Sequence, residues 1–174
     1  GESLQALRRP EEAFLWFGRA AHKGSAEAEA RVAECLLKGE GVARADSEAM
    51  RMLRRALRQG NARAMALMGF CCLNGQGVAR DDGAACKWYR ASAAKDEPLA
   101  LAQLGTFLEN GRLGFEKNAA EATKWYRRAA ERGVASAQFD LGRCYLLGVG
   151  VSPDPRKGAE WLRRAMEQGD FKAE

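Results

Sequence analysis

Apolar and small residues recur along the chain in stripes with helical spacing. Ala85, Trp88, Tyr89 and Ser92 stand at i, i+3, i+4 and i+7, on one face of a helix. The same stripe, centred on an aromatic pair, returns at Trp16-Phe17, Trp125-Tyr126 and Trp161-Leu162, with Met52-Leu53 as its weakest copy. A small residue follows the first position of each pair by four places: Ala20, Ala56, Ser92, Ala129 and Ala165. Another precedes it by three: Ala13, Ala49, Ala85, Ala122 and Gly158. In one unit the pattern predicts a helix A over residues 62–73 and a helix B over residues 82–95.

The stripes are punctuated at a fixed period. Gly24, Gly60, Gly133 and Gly169 each follow a helix B, at intervals of 36, 73 and 36 residues, and Asp96 occupies the place missing from the longer interval. The period is therefore 36, with one inserted residue. Glycine-rich loops join A to B at residues 39–42, 75–78 and 148–151, and the third loop, residues 111–115, holds the insertion. Asp46, Asn118 and Asp154 suit the N-caps of three B helices, and Glu121 completes a capping box with Asn118. Pro98 and Pro155 suit first turns, and Gly60, Gly133 and Gly169 suit left-handed C-caps. Gly69, Gly105 and Gly142 lie mid-helix, where glycine costs about 1 kcal/mol relative to alanine. Their recurrence predicts close packing, with the Trp of a helix B crossing there.

Composition changes this picture little. The chain has 174 residues, 47% hydrophobic and 29% charged, as expected of one globular domain. The net charge is +5 with both signs interspersed, which describes an ordinary solvated surface and gives no reason to expect nucleic-acid binding. The five cysteines, Cys35, Cys71, Cys72, Cys86 and Cys144, show no zinc spacing and are expected to be buried free thiols of a reducing compartment. His22 is the only histidine and supplies no triad, metal site or proton relay. The Gly75-Gln76-Gly77 loop recurs at the repeat period with no strand before it, so it is no phosphate loop. No catalytic residue, metal or cofactor is expected.

These residues resemble the Sel-one-like repeat family, a relative of the tetratricopeptide repeats. Residues 137–169 carry its pattern at Ala137, Leu141, Gly142, Tyr145, Gly148, Gly150, Val151, Asp154, Lys157, Ala159, Trp161, Ala165 and Gly169. Residues 64–96 match at Ala64, Gly69, Gly75, Gly77, Val78, Asp81, Trp88, Tyr89 and Ala93, and residues 25–60 diverge most. The resemblance implies an all-α fold: a right-handed α-solenoid of antiparallel helix hairpins, a tetratricopeptide-like superhelix. It implies a concave face, lined by the A helices, that usually holds other proteins. Cysteine-rich secreted members would pair Cys71 or Cys72 with Cys86; the other repeats of this chain lack such pairs.

The phase divides the chain into a half repeat at 10–24, repeats at 25–60, 61–96, 97–133 and 134–169, and the opening of another at 170–174. Such ends suggest a fragment of a longer protein. On the A helices, three columns change chemistry from repeat to repeat: Arg31, Leu67, Gln103, Asp140; Glu34, Phe70, Thr106, Arg143; and Lys38, Asn74, Asn110, Leu147. They are the candidate partner groove, with Met65, Leu67 and Phe70 as its apolar section; solvated or neighbour-packing positions are the alternative. Arg54-Arg55, Arg127-Arg128 and Arg163-Arg164 recur on helix B as a basic ridge that either meets an acidic partner or pairs with nearby acids. The expected function is a non-catalytic scaffold binding a protein or peptide in the groove. Membrane association is expected only through the rest of a parent chain. The alternatives are a docking or regulatory module of a larger enzyme or membrane-associated protein, and a bacterial secreted, periplasmic or immunity-type protein. The expected location is cytoplasmic, with periplasmic or secreted as the alternative.

Overall fold

A computed structural model of the chain describes residues 9–168. Its regular elements are α-helices: α1 (Pro10–His22), α2 (Ala26–Lys38), α3 (Asp46–Arg58), α4 (Ala62–Asn74), α5 (Asp82–Ala94), α6 (Pro98–Asn110), α7 (Ala119–Glu131), α8 (Ala135–Leu147) and α9 (Pro155–Glu167). Each helix A is thus followed by a helix B within one residue of the bounds that the periodicity predicts. The chain divides between Ser92 and Ala93 into two compact units. In the first, α2 packs against α1, α3 and α4, and α3 against α4; in the second, α7 packs against α6 and α8, and α8 against α9.

The helix ends follow from local chemistry. Asn118 accepts the Glu121 N–H at 3.0 Å and Asp154 accepts the Lys157 N–H at 3.1 Å, the caps the sequence predicts. The capping box is not closed: the Asn118 N–H donates to the Leu108 carbonyl at 2.8 Å, and the Glu121 carboxylate accepts from the Trp125 indole at 3.4 Å. Asp46 does not cap. The helix starts in phase with the other B helices, so Ala45 holds the place that Asp81 holds one repeat later and Asp46 is the first residue of α3. Its carboxylate instead accepts from Arg44 at 2.8 Å and from Gln76 at 3.1 Å, which together hold it at about 2. The cap one repeat later is Asp81, which accepts the Ala84 N–H at 2.8 Å. Past the B helices, Gly60 and Gly133 take φ of 71° and 84°, and Asp96, standing in the glycine column, takes φ of 63°. Arg128 and Arg132 both reach the Asp96 carboxylate there. Gly169 lies outside the described residues.

The core is built on small residues that let helices approach. Ala49, Ala56, Ala85, Ser92, Ala129 and Ala165 are fully buried, and the Ser92 hydroxyl is satisfied by donating to the Ala62 carbonyl at 2.7 Å. The mid-helix glycines do make room for helix B, but for a different residue than expected. A Cβ at Gly69 would stand 3.0 Å from the Tyr89 ring, one at Gly105 2.6 Å from the Tyr126 ring, and one at Gly142 2.8 Å from Leu162. The residue after each Trp fills the space, because it lies at the centre of the Ala85-Tyr89-Ser92 stripe. The Trp one position earlier is rotated by about 100° to the margin. Trp88, Trp125 and Trp161 are half-buried there, with Arg128 and Arg164 stacked over the last two at 4.8 and 4.6 Å.

Candidate functional site

The variable A-helix columns of the first unit form one charged lattice. Glu27, Arg31, Glu34 and Lys38 follow each other along α2, and Arg63, Leu67, Phe70 and Asn74 stand at the same phase on α4. Arg31 pairs with Glu27 at 3.1 Å and Lys38 with Glu34 at 2.9 Å, while Arg63 crosses from α4 to both acids at 3.1 and 3.0 Å. Burial alone would raise both carboxyls. Asn61 and Arg63 hold Glu27, and Lys38 and Arg63 hold Glu34, below the usual range.

The apolar section of the proposed groove is smaller than the sequence suggests. Leu67 is 7% exposed and belongs to the core, because its place in the stripe turns it between the helices. Met65 is half-buried, and Phe70 is 40% exposed and presents a ring to solvent. Asn74 donates its side-chain amide to the Phe70 carbonyl at 2.9 Å, and Asn110 does the same to Thr106 at 2.8 Å. Both therefore complete the last turn of their own helix while remaining exposed.

In the second unit the columns converge on Glu109, which the column reading missed. Its carboxylate accepts from the Tyr126 hydroxyl at 2.8 Å and from Arg143 at 2.6 Å. Asp140 lies 3.7 Å from Arg143, and the Tyr126 hydroxyl also reaches Thr106 at 3.4 Å. Gln103 is half-buried on the same helix as Thr106. Burial would raise Glu109, but Arg143 and Tyr126 hold it below its ordinary value. Burial and the neighbouring Glu109 raise Asp140 despite Arg143. A depressed carboxyl stabilises the fold above its unfolded value of about 4.3 and loses that contribution as pH falls through the folded value. Removing the guanidinium leaves both carboxyls desolvated. Arg143→Ala is therefore expected to cost about 1–2 kcal/mol at neutral pH. Urea titrations should show the gap to wild type narrowing as falling pH protonates the two carboxyls.

Signals for the missed partners exist in the sequence. Glu27 and Arg63 stand one period apart with opposite charge, as partners on stacked A helices would. The basic ridge on helix B proves to be largely engaged with protein groups. Arg55 meets the buried Glu29 at 2.7 Å, Arg128 meets Asp96 at 3.0 Å, Arg164 meets Glu160 at 2.6 Å, and Arg127 donates to the Tyr145 hydroxyl at 2.8 Å. The cysteines are free. Cys71, Cys72, Cys86 and Cys144 are buried and Cys35 half-buried, and burial pushes the Cys71 thiol up to about 12. Among the described residues no cluster of three His, Cys, Asp or Glu side chains is placed to hold a metal, and no helix is long and apolar enough to cross a membrane.

Comparison with known proteins fits this geometry. A family model of the Sel1 repeat matches residues 5–25, 26–61, 62–97, 98–134 and 135–170. The chain belongs to the Sel1 repeat family. Its fold is the all-α helix-hairpin solenoid of that family, and Sel1 repeats are generally non-catalytic scaffolds for protein–protein interaction. The chain is similar to a solved Sel1 repeat protein from Oxalobacter formigenes at 33% identity and a TM-score of 0.74, covering 92% of this chain and 65% of that one. It is also similar to a protective antigen of uropathogenic Escherichia coli with an SLR fold, at 31% identity and a TM-score of 0.69, covering 92% of this chain and 34% of that one. In sequence, 57 residues are 42% identical to chitin synthase regulatory factor 3 of Schizosaccharomyces pombe, over 33% of this chain and 6% of that protein.

Proposed function

We propose that this Sel1 repeat chain is a non-catalytic scaffold that holds a segment of another protein against the exposed stripes of its A helices. The observation that carries the reading is Phe70. It is a solvent-facing aromatic side chain at a column that is otherwise Glu34, Thr106 and Arg143, set beside ion-paired groups that can exchange partners. An exposed ring with a polar rim is the usual anatomy of a peptide anchor. In the first unit Arg31, Glu34, Lys38 and Asn74 occupy the same variable columns, with Met65 on the Phe70 helix; in the second unit Gln103, Thr106, Asn110, Asp140 and Arg143 carry polar groups on the corresponding columns. No residue is assigned to catalysis, and the five free thiols fit a cytoplasmic location.

A second reading is a regulatory or docking module within a larger protein. The similarity to a chitin synthase regulatory factor, of which the match covers only 6%, favours it. The two readings share the binding face.

The test is quantitative recovery of bound proteins by the chain, by Phe70→Glu and by Lys87→Glu, an exposed outer control. Recovery of the principal partner is expected to fall about tenfold or more for Phe70→Glu and to stay unchanged for Lys87→Glu. Equal recovery by all three folded proteins contradicts the assignment.

A further inference from the structure

The outer face of α1 departs from its own repeat. The Leu15 column continues as Arg51, Lys87, Lys124 and Glu160, all exposed and all charged. Leu15 is 61% exposed at that place, and Trp16 beside it is 62% exposed, whereas Trp88, Trp125 and Trp161 in its column are half-buried. The other copies act as an internal control. Position 15 stays in solvent in repeats that have another hairpin before them, so stacking of a further hairpin does not cover it. An exposed Leu-Trp pair, its Leu at a position otherwise kept for charge, marks a contact surface.

The charges around the pair are arranged symmetrically. Glu12 lies three residues before Leu15, and Arg19 lies three residues after Trp16. Both are exposed, so Glu12, Leu15, Trp16 and Arg19 follow one face over two turns, acidic at one end, apolar in the middle and basic at the other. Glu12 pairs with Arg9 at 2.8 Å and Arg19 stacks on Trp16 at 5.0 Å, both solvent-exposed arrangements that can be exchanged.

We propose that α1 is a self-association surface, on which two copies of the chain pair through antiparallel α1 helices. A two-fold axis through the Leu15–Trp16 midpoint sets Leu15 of each copy against Trp16 of the other. It brings Glu12 of each copy to Arg19 of the other. The surface is thus self-complementary in both shape and charge, as an isologous dimer requires. Two short helices bury less than the roughly 1,600 Å² of a standard interface, so the dimer forms by mass action at high concentration.

Sedimentation equilibrium on the full chain tests the proposal, with circular dichroism confirming that each variant folds. The wild type is expected to be monomeric at about 1 μM and substantially dimeric at about 1 mM. Leu15→Glu, Glu12→Arg and Arg19→Glu are each expected to weaken the dimer about tenfold or more, and the double variant Glu12→Arg with Arg19→Glu to restore it. The restoration separates antiparallel pairing from a parallel arrangement, in which like residues would face each other. A wild type monomeric at about 1 mM, a dimer indifferent to Leu15→Glu, or a double variant no tighter than the singles each overturns the proposal. So does a monomer that binds phosphatidylcholine vesicles containing about 30% phosphatidylserine through Leu15, which would assign the face to a membrane surface instead.

Discussion

Replacing Tyr126 with alanine is expected to destabilise the chain by about 3–5 kcal/mol, measured by urea or thermal denaturation. The ring is 1% exposed and lies over Gly105, where an added Cβ would approach its carbons to 2.6 Å. Its hydroxyl donates to Glu109, so truncation both opens a cavity and removes a donor from a part-buried carboxylate. Tyr126→Phe isolates the second effect and is expected to cost about 1 kcal/mol. The pairing with Gly105 is checked by a double-mutant cycle. Alone, Gly105→Ala should cost about 1–3 kcal/mol by overpacking. Combined with Tyr126→Ala it should be neutral or favourable, since alanine is the better helix former by about 1 kcal/mol. Additive effects would show that the ring does not rest on Gly105.

Gly150→Ala is expected to cost about 3 kcal/mol, against about 1 kcal/mol for Gly133→Ala in the same unit. Both glycines have positive φ, 67° and 84°. At Gly133 an added Cβ meets open space, so only the left-handed backbone is penalised. At Gly150 it would overlap the Ala119 carbonyl and stand 2.7 Å from the Ala120 nitrogen, because the loop seats its backbone directly on the first turn of α7. Thr123 ties the same loop down, donating its hydroxyl to the Val149 carbonyl at 2.9 Å. Equal melting shifts for the two variants would show that the loop does not need this approach.

The repeat was legible in the sequence because its small residues, helix-ending glycines and aromatic pairs each answer a local constraint at a fixed period. Asp96 shows how far that extends: the spacing placed it in a glycine column, and its φ of 63° is the conformation that column demands. Legibility failed where a decision depended on one residue of rotation. Trp88 and Tyr89 are adjacent and both large, and only the helix phase sends Tyr89 over Gly69 while Trp88 stays at the margin. Asp46 and Asp81 differ by the same single step, and only Asp81 caps. The candidate site was half legible. Columns of changing chemistry picked out Arg31, Glu34, Phe70 and Arg143, none of which the structure buries, but Leu67 shared their phase and turned inward. Arg63 and Glu109 leave no local trace, since their partners lie 36 and 34 residues away; only the one-period spacing of Glu27 and Arg63 hints at a pair, and Arg143 stands short of a full period from Glu109.

The proposal that the A helices carry the binding face is tested most directly by site-specific photocrosslinking. A benzophenone side chain is placed in turn at Arg31, Phe70 and Asn74, and at the exposed helix B positions Arg51 and Lys87, with the natural partner present. The A-helix positions are expected to capture one common partner, and Arg51 and Lys87 none of it. Capture confined to the helix B positions would contradict the proposal.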